Sequence, residues 1–152
     1  MKKILVSACL CGDPCRYDGK SVPCDDPNFL RWLSEGRFVQ VCPEVLAGLG
    51  VPRGESQRQG NQVITIDGQD VTEAFIQGAE ATVALAKEND VIFCILKQRS
   101  PSCGSTIIHD GTFSGIKIPG QGVATEWLRK AGYTVLGEDQ MVEAIELEEK
   151  LK

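Results

Sequence analysis

The sequence predicts an α/β fold in a single domain, built on a mainly parallel sheet with helices on both faces. Three observations lead there. Short apolar runs alternate with stretches of helical period along the 152 residues. The most continuous apolar run, Val91 to Leu96, has the character of a central strand covered on both faces. The length suits one domain that buries most of its apolar surface without disulfides.

Each element follows from its residues. Ile4-Leu5-Val6 is a short buried strand, broken by Gly12, Pro14 and Gly19 in the stretch Ser7 to Gly19. Asp26-Pro27 supplies an N-cap and a first-turn proline for a short helix with Phe29, Leu30 and Leu33 on its apolar stripe, ending at Gly36. A strand over Phe38 to Val41 gives way to Cys42-Pro43-Glu44, and Val45, Leu46 and Leu49 suggest one or two helical turns beyond. From Gly48 to Asn61 the chain has no period and reads as a flexible loop able to cover a site. Gln62 to Asp70 carries an Asp-Gly turn and a hairpin signal. A longer helix from about Thr72 to Lys87 puts Phe75, Ile76, Ala79, Val83 and Ala86 on one face. After the central strand, Ile107 to Pro119 reads as a hairpin or irregular excursion. Gly122 to Ala131 is then a helix, Tyr133 to Leu136 a last strand, and Gln140 to Leu151 a glutamate-rich helix.

Charge and composition exclude some functions. The net charge of −5 provides no overall basic field, so tight unaided binding to nucleic acid is not expected. Met1-Lys2-Lys3-Ile4 resembles the start of a signal peptide, but the apolar run behind it is short, and no window approaches a membrane span. The expected location is therefore the cytoplasm, a reducing compartment where cysteines bind metal or react more often than they form structural disulfides.

There are seven cysteines. Cys9, Cys42 and Cys103 each follow a strand signal and stand beside Gly, Pro or Ser. In open α/β sheets ligands bind outside the carboxyl ends of the strands, and adjacent strands lie about 4.8 Å apart. Three thiols at such ends can therefore converge and suit a soft metal or an iron-sulfur cluster, although spacing alone does not choose between these. Cys94, inside an apolar strand, reads as a small buried hydrophobe, and Cys24 as a free thiol in a polar loop. Cys11 has no evident role. Cys15 stands between the groups as a candidate additional metal ligand.

Together, Ser7-Ala8-Cys9-Leu10, Cys15-Arg16-Tyr17-Asp18-Gly19, Cys42-Pro43-Glu44, Gly48-Leu49 with Pro52-Arg53, Asp70-Val71-Thr72 and Ser100-Pro101-Ser102-Cys103-Gly104 resemble the thiouracil desulfidase family. This family was formerly known only as a domain of unknown function. The match runs in the same order over nearly the whole chain. The resemblance implies a Rossmann-like three-layer fold and a 4Fe-4S cluster held by Cys9, Cys42 and Cys103, with one iron left without a protein ligand. It also places Glu44 and Ser100 at positions implicated in catalysis. After Pro52-Arg53 the family usually continues Pro-Pro-Ala-Glu, whereas this chain has Gly54-Glu55-Ser56-Gln57, so the substrate contacts of that loop differ.

The implied reaction removes sulfur from a thiolated pyrimidine base or nucleoside, of 2-thiouracil or 4-thiouridine type. An open iron is a Lewis acid for the thiocarbonyl sulfur, Glu44 can serve as general base toward water, and the Ser100 hydroxyl can donate a hydrogen bond or relay a proton. The plainer readings are a helix-start carboxylate for Glu44 and a turn residue for Ser100. Arg53 and Arg99 are candidate substrate-binding residues, with solvated surface charge as the alternative. His109, the only histidine, reads as a surface turn residue beside Asp110-Gly111, and Trp32 and Trp127 as core. Gly120-Gln121-Gly122 resembles a dinucleotide fingerprint without its last glycine, so a cofactor loop is not expected there. Two other classes remain: a zinc-binding module with Cys15 as fourth ligand, and a thiol-redox module using Cys9 with Cys11 or Cys15.

Overall fold

The computed structural model describes residues 2–152. Met1, the first residue of the signal-like start, lies outside them. The class is mixed α/β, as expected. In chain order the elements are β1 (Ile4–Ser7), α1 (Pro27–Ser34), β2 (Phe38–Val41), α2 (Pro43–Leu46), β3 (Ser56–Gln59), β4 (Gln62–Thr65), α3 (Thr72–Glu88), β5 (Cys94–Leu96), β6 (Ile107–His109), β7 (Lys117–Pro119), α4 (Val123–Lys130), β8 (Val135–Gly137) and α5 (Met141–Leu151). The main sheet is parallel, in the order β2-β1-β5-β8.

Pleat decides which side chain goes where. Ile4 and Val6 of β1, with Phe93 and Ile95, pack on Phe29 and Trp32 of α1 and on Met141 and Ala144 of α5. Leu5, Cys94 and Leu96 point the other way, into a cluster with Ala86 of α3 and Leu128 of α4. β1 and β5 are buried along their whole length, which is why their sequences run apolar without alternation. Cys94 is fully enclosed and belongs to this core. Each buried Leu, Ile or Phe contributes about 1.5–3 kcal/mol, so this two-faced burial favours β1 and β5 as the interior strands of the sheet.

Local signals set the ends of the elements. The Asp26 carboxylate accepts from Asn28 N at 2.9 Å and Phe29 N at 3.0 Å, satisfying the first turn of α1. Gly36, at φ +72°, ends the turn that follows α1 and feeds β2.

The segment from Gly48 to Asn61, expected as loop throughout, instead contains β3, which pairs antiparallel with β4. The hairpin turns at Gly60-Asn61, and Asp67-Gly68 makes a second tight turn that returns Asp70 to bridge Ile64. Ser-Gln-Arg-Gln has no apolar alternation to announce a strand. Its buried Gln57 is held by polar bonds, its Oε1 accepting from Gly111 N and Phe113 N, both at 3.1 Å. The expected excursion after residue 107 is the β6–β7 hairpin. Among the described residues, no helix is long and apolar enough to cross a membrane.

Candidate active site

Because β2, β1 and β5 are neighbours, the loops leaving their carboxyl ends emerge side by side. After β1 the chain tightens into a 3-10 turn over Ala8–Cys11, closed by Gly12 at φ +98°, and this leaves Cys9 buried. Val22 N donates to Cys9 O at 3.1 Å and Cys24 N to Leu10 O at 2.9 Å, so the loop carrying Cys15 is fastened at both ends. Cys42 ends β2 and begins α2, with its Sγ 3.7 Å from Cys15 O. Glu44 follows in the first turn of α2.

The third loop is the most constrained. Lys97 N donates to Ser7 Oγ at 2.9 Å, tying the exit of β5 to that of β1. Ser100 Oγ accepts from Ser102 N at 3.1 Å and Cys103 N at 3.0 Å. The amino end of α4 then closes on this loop, with Val123 N donating to Pro101 O and Ala124 N to Ser102 O, both at 2.9 Å. A Cβ on Gly122 would stand 2.5 Å from Ser102 O and 2.7 Å from Cys103 N, so only glycine permits that approach. The Gly120-Gln121-Gly122 turn therefore holds the Cys103 loop, and its helix amides are spent on protein carbonyls.

The result is a cavity of about 440 Å³ lined by Cys9, Cys15, Cys42, Glu44, Arg53, Arg99, Ser100 and Cys103 together. Every candidate site residue read from the sequence faces this one space. Cys11, Cys24 and Cys94 are not among its lining residues. Among the described residues, no three His, Cys, Asp or Glu side chains are grouped closely enough to hold a single metal ion.

One hydrogen-bonded chain runs through the cavity. Ser102 Oγ donates to Glu44 Oε2 at 3.0 Å, and Ser100 Oγ lies 3.0 Å from Ser102 Oγ. A carboxylate only accepts, so the single proton of Ser102 goes to Glu44 and Ser100 donates to Ser102. The other carboxylate oxygen accepts from Arg53 Nε at 3.1 Å. Arg53 also donates from Nη2 to Cys15 O at 3.0 Å and from Nη1 to Gly50 O at 3.1 Å, and its side chain is only 11% exposed. Arg53 is thus committed to the protein, whereas Arg99 is exposed at φ +71° and its guanidinium pairs with no carboxylate among the described residues.

The thiols of Cys15, Cys42 and Cys103 favour their protonated forms. Burial pushes the Cys103 thiol up to about 12, only partly offset by the neighbouring hydroxyls of Ser7 and Ser102. Cys15 is pulled down by its contact with Cys42, but the contact with Cys9 and burial outweigh that and push it to about 11. Cys42 is raised by the same Cys15 contact and by burial.

Two residues of the cavity escape a sequence reading. Ser102 lies in the Ser100-Pro101-Ser102-Cys103 run, and the run itself is the signal that could have found it. His109 is not a surface turn residue. It ends β6, is half-buried, lines the cavity and has a buried Nδ1. Nothing local announces this, because what places it there is the hairpin folding over the loop of Cys103.

A parallel α/β sheet whose strand ends gather thiols, a carboxylate and serines around one cavity defines a cysteine-centred α/β protein of the kind the sequence resembles. The chain belongs to the 2-thiouracil desulfurase family, whose model matches residues 4–140. It is similar to the uncharacterised protein YbbK of Bacillus subtilis (strain 168), with 42% identity over 148 residues, covering 91% of this chain and 97% of that protein. It is also similar to the solved structure of the 4Fe-4S-dependent thiouracil desulfidase TudS. That structure is 44% identical, with a TM-score of 0.93 over 97% of this chain and 99% of that one.

Proposed function

We propose that this protein is a 4Fe-4S-dependent desulfidase that hydrolyses the C=S bond of a thiolated pyrimidine base or nucleoside, of 2-thiouracil or 4-thiouridine type. The observation that carries this reading is that Cys9, Cys42 and Cys103 share one cavity with the Ser100–Ser102–Glu44 chain. The likeness to TudS over almost the full length of both chains supports it. The strand ends of a Rossmann-like layering, with helices on both faces of the sheet, are where such a site would sit.

The donor set fits the cluster. Thiolates are the soft ligands that iron-sulfur centres take, and each cysteine would hold a different iron. Zinc on Cys9, Cys15, Cys42 and Cys103 would need sulfurs about 3.8 Å apart, and no such grouping stands among the described residues. When bound, the cluster supplies an iron free of protein ligands, a Lewis acid for the thiocarbonyl sulfur.

The chain's own residues handle protons and position. Hydrolysis exchanges C=S for C=O and releases hydrogen sulfide, so both protons of the attacking water must travel toward sulfur. Glu44 Oε2 takes the first from the water as it adds to the carbon. Once protonated, Glu44 becomes the donor to Ser102 Oγ, and the hydroxyl bonds along Ser102 and Ser100 must turn round to pass a proton back toward sulfur. Arg53 fixes the carboxylate from the far side, and Arg99, which lines the cavity without a carboxylate partner among the described residues, is free to meet the substrate.

The test is anaerobic reconstitution with iron and sulfide, followed by sulfide release from 2-thiouracil and 4-thiouridine. Stoichiometric iron with sulfide release is expected, with both lost in Cys103→Ser. Stoichiometric iron without sulfide release from any thiolated pyrimidine would falsify the enzyme assignment.

A further inference from the structure

His109 has a ring environment that the mechanism above does not use. Four buried side-chain nitrogen or oxygen atoms lack a partner among the described residues, and His109 Nδ1 is the only one of them on a residue that lines the cavity. Nδ1 is sealed from solvent, while Nε2 is neither buried nor bonded to protein. An N–H at Nδ1 would lose its water bond with nothing in return, and orphaned buried donors are rarer and costlier than orphaned acceptors. The proton of the neutral imidazole therefore sits on Nε2, leaving Nε2–H as a donor with no protein acceptor.

The scaffold fixes the backbone that carries that donor. Ile108 is wedged against the cavity loop: a Cβ on Gly104 would lie 2.8 Å from Ile108 Cγ2, and one on Gly120 would lie 2.9 Å from Ile108 Cδ1. Arg99 N donates to Ile107 O at 2.9 Å, and beyond His109 the amide of Gly111 is held by Gln57. A rigid, unpaired donor in a ligand cavity is built to read an acceptor on the ligand.

We propose that His109 is a specificity-determining residue that donates Nε2–H to a ring carbonyl oxygen of the bound pyrimidine; this rests on the desulfidase reading. Uracil and 2-thiouracil both offer such an oxygen. A site built around this donor discriminates against rings that lack it, since Nε2–H is then left unpaired.

His109 is the only histidine, so its ring nitrogens give unambiguous nitrogen-15 NMR signals in the anaerobically purified protein. The expected spectrum is the Nε2–H tautomer, with the Nε2 resonance shifting on addition of uracil. In parallel, His109→Phe should raise KM for 2-thiouracil on the order of fivefold while kcat and iron content stay near wild type. His109→Gln keeps an N–H donor and should recover much of that loss. A ring that exchanges tautomers like a free imidazole and ignores uracil, or a KM unmoved in His109→Phe, overturns the proposal alone. Wild-type protein that releases no sulfide from any thiolated pyrimidine overturns the functional reading, and this proposal with it.

Discussion

Ser102 and Glu44 lie 58 residues apart in sequence and meet at 3.0 Å, Oγ to Oε2, inside the cavity. That bond joins the loop of Cys103 to the turn of Cys42, so the contact at the middle of the proposed proton path also spans two of the thiol-bearing loops. Ser102→Ala cuts the path at its middle while leaving Ser100 and every thiol in place. The expected result is a kcat lower by about 10- to 100-fold with iron content unchanged. A variant with wild-type kcat would remove Ser102 from the path.

Arg53 makes the complementary prediction on stability. Its fork spans Glu44, the Cys15 carbonyl and Gly50. Arg53→Ala leaves a mostly buried carboxylate and a carbonyl without their donor, at a cost of about 2–4 kcal/mol. In a chain of this size that corresponds to a Tm lower by about 5–15 °C. Arg53→Lys keeps the charge but not the planar fork, and should fall between the two. Thermal melts of the three proteins decide it.

Two glycines act on the thiols from outside the cavity. A Cβ on Gly78 of α3 would run into Pro43 O, next to Cys42 and Glu44, and one on Gly122 would meet the backbone between Ser102 and Cys103. Backbone cannot swing aside as a long side chain can. Gly78→Ala and Gly122→Ala should each destabilise by about 2 kcal/mol or more and lower the iron bound after reconstitution, although neither residue touches the cavity. Full iron with wild-type stability would show that these approaches have slack.

How far the sequence could be read follows from where each interaction partner lies. Asp26-Pro27 and the apolar runs of β1, β2 and β5 act locally or through burial, so their signals are local and the elements appear where expected, although β5 takes up only Cys94–Leu96 of the run from Val91. Cys9 and Cys42 could be placed at a rim because each directly follows its strand. Cys103 sits seven residues beyond β5, and only the fold shows that Lys97, Ser7 and Gly122 bring its loop back. Arg53 looks like any loop cation until Glu44 and Cys15 are seen beside it, 9 and 38 residues away. β3 escaped notice because Gln57 is anchored by amide bonds to residues more than 50 positions further along. His109 escaped for the same kind of reason, since a turn signature does not say what the turn is folded against.

The thiols give a pH dependence with a definite sign. In the metal-free protein Cys103 titrates near 12 and Cys15 near 11, whereas both would ionise close to 9 in the unfolded chain. The folded pKa values are raised, so the stability these thiols contribute is fully present below about 9 and is lost as pH rises toward the folded values. Between these limits the unfolded chain binds fewer protons, and stability should fall by up to about 1.4 kcal/mol per pH unit for each such thiol. Urea unfolding of the metal-free protein at about pH 8, 9.5 and 10.5 should show this decline, and Cys103→Ser should make it shallower. Metal loading removes the protons at the outset, because only thiolate binds, so reconstitution should release protons and go further at about pH 8.5 than at about pH 6.5. A metal-free protein whose stability does not change across the alkaline range would mean that Cys103 and Cys15 are not held protonated by burial.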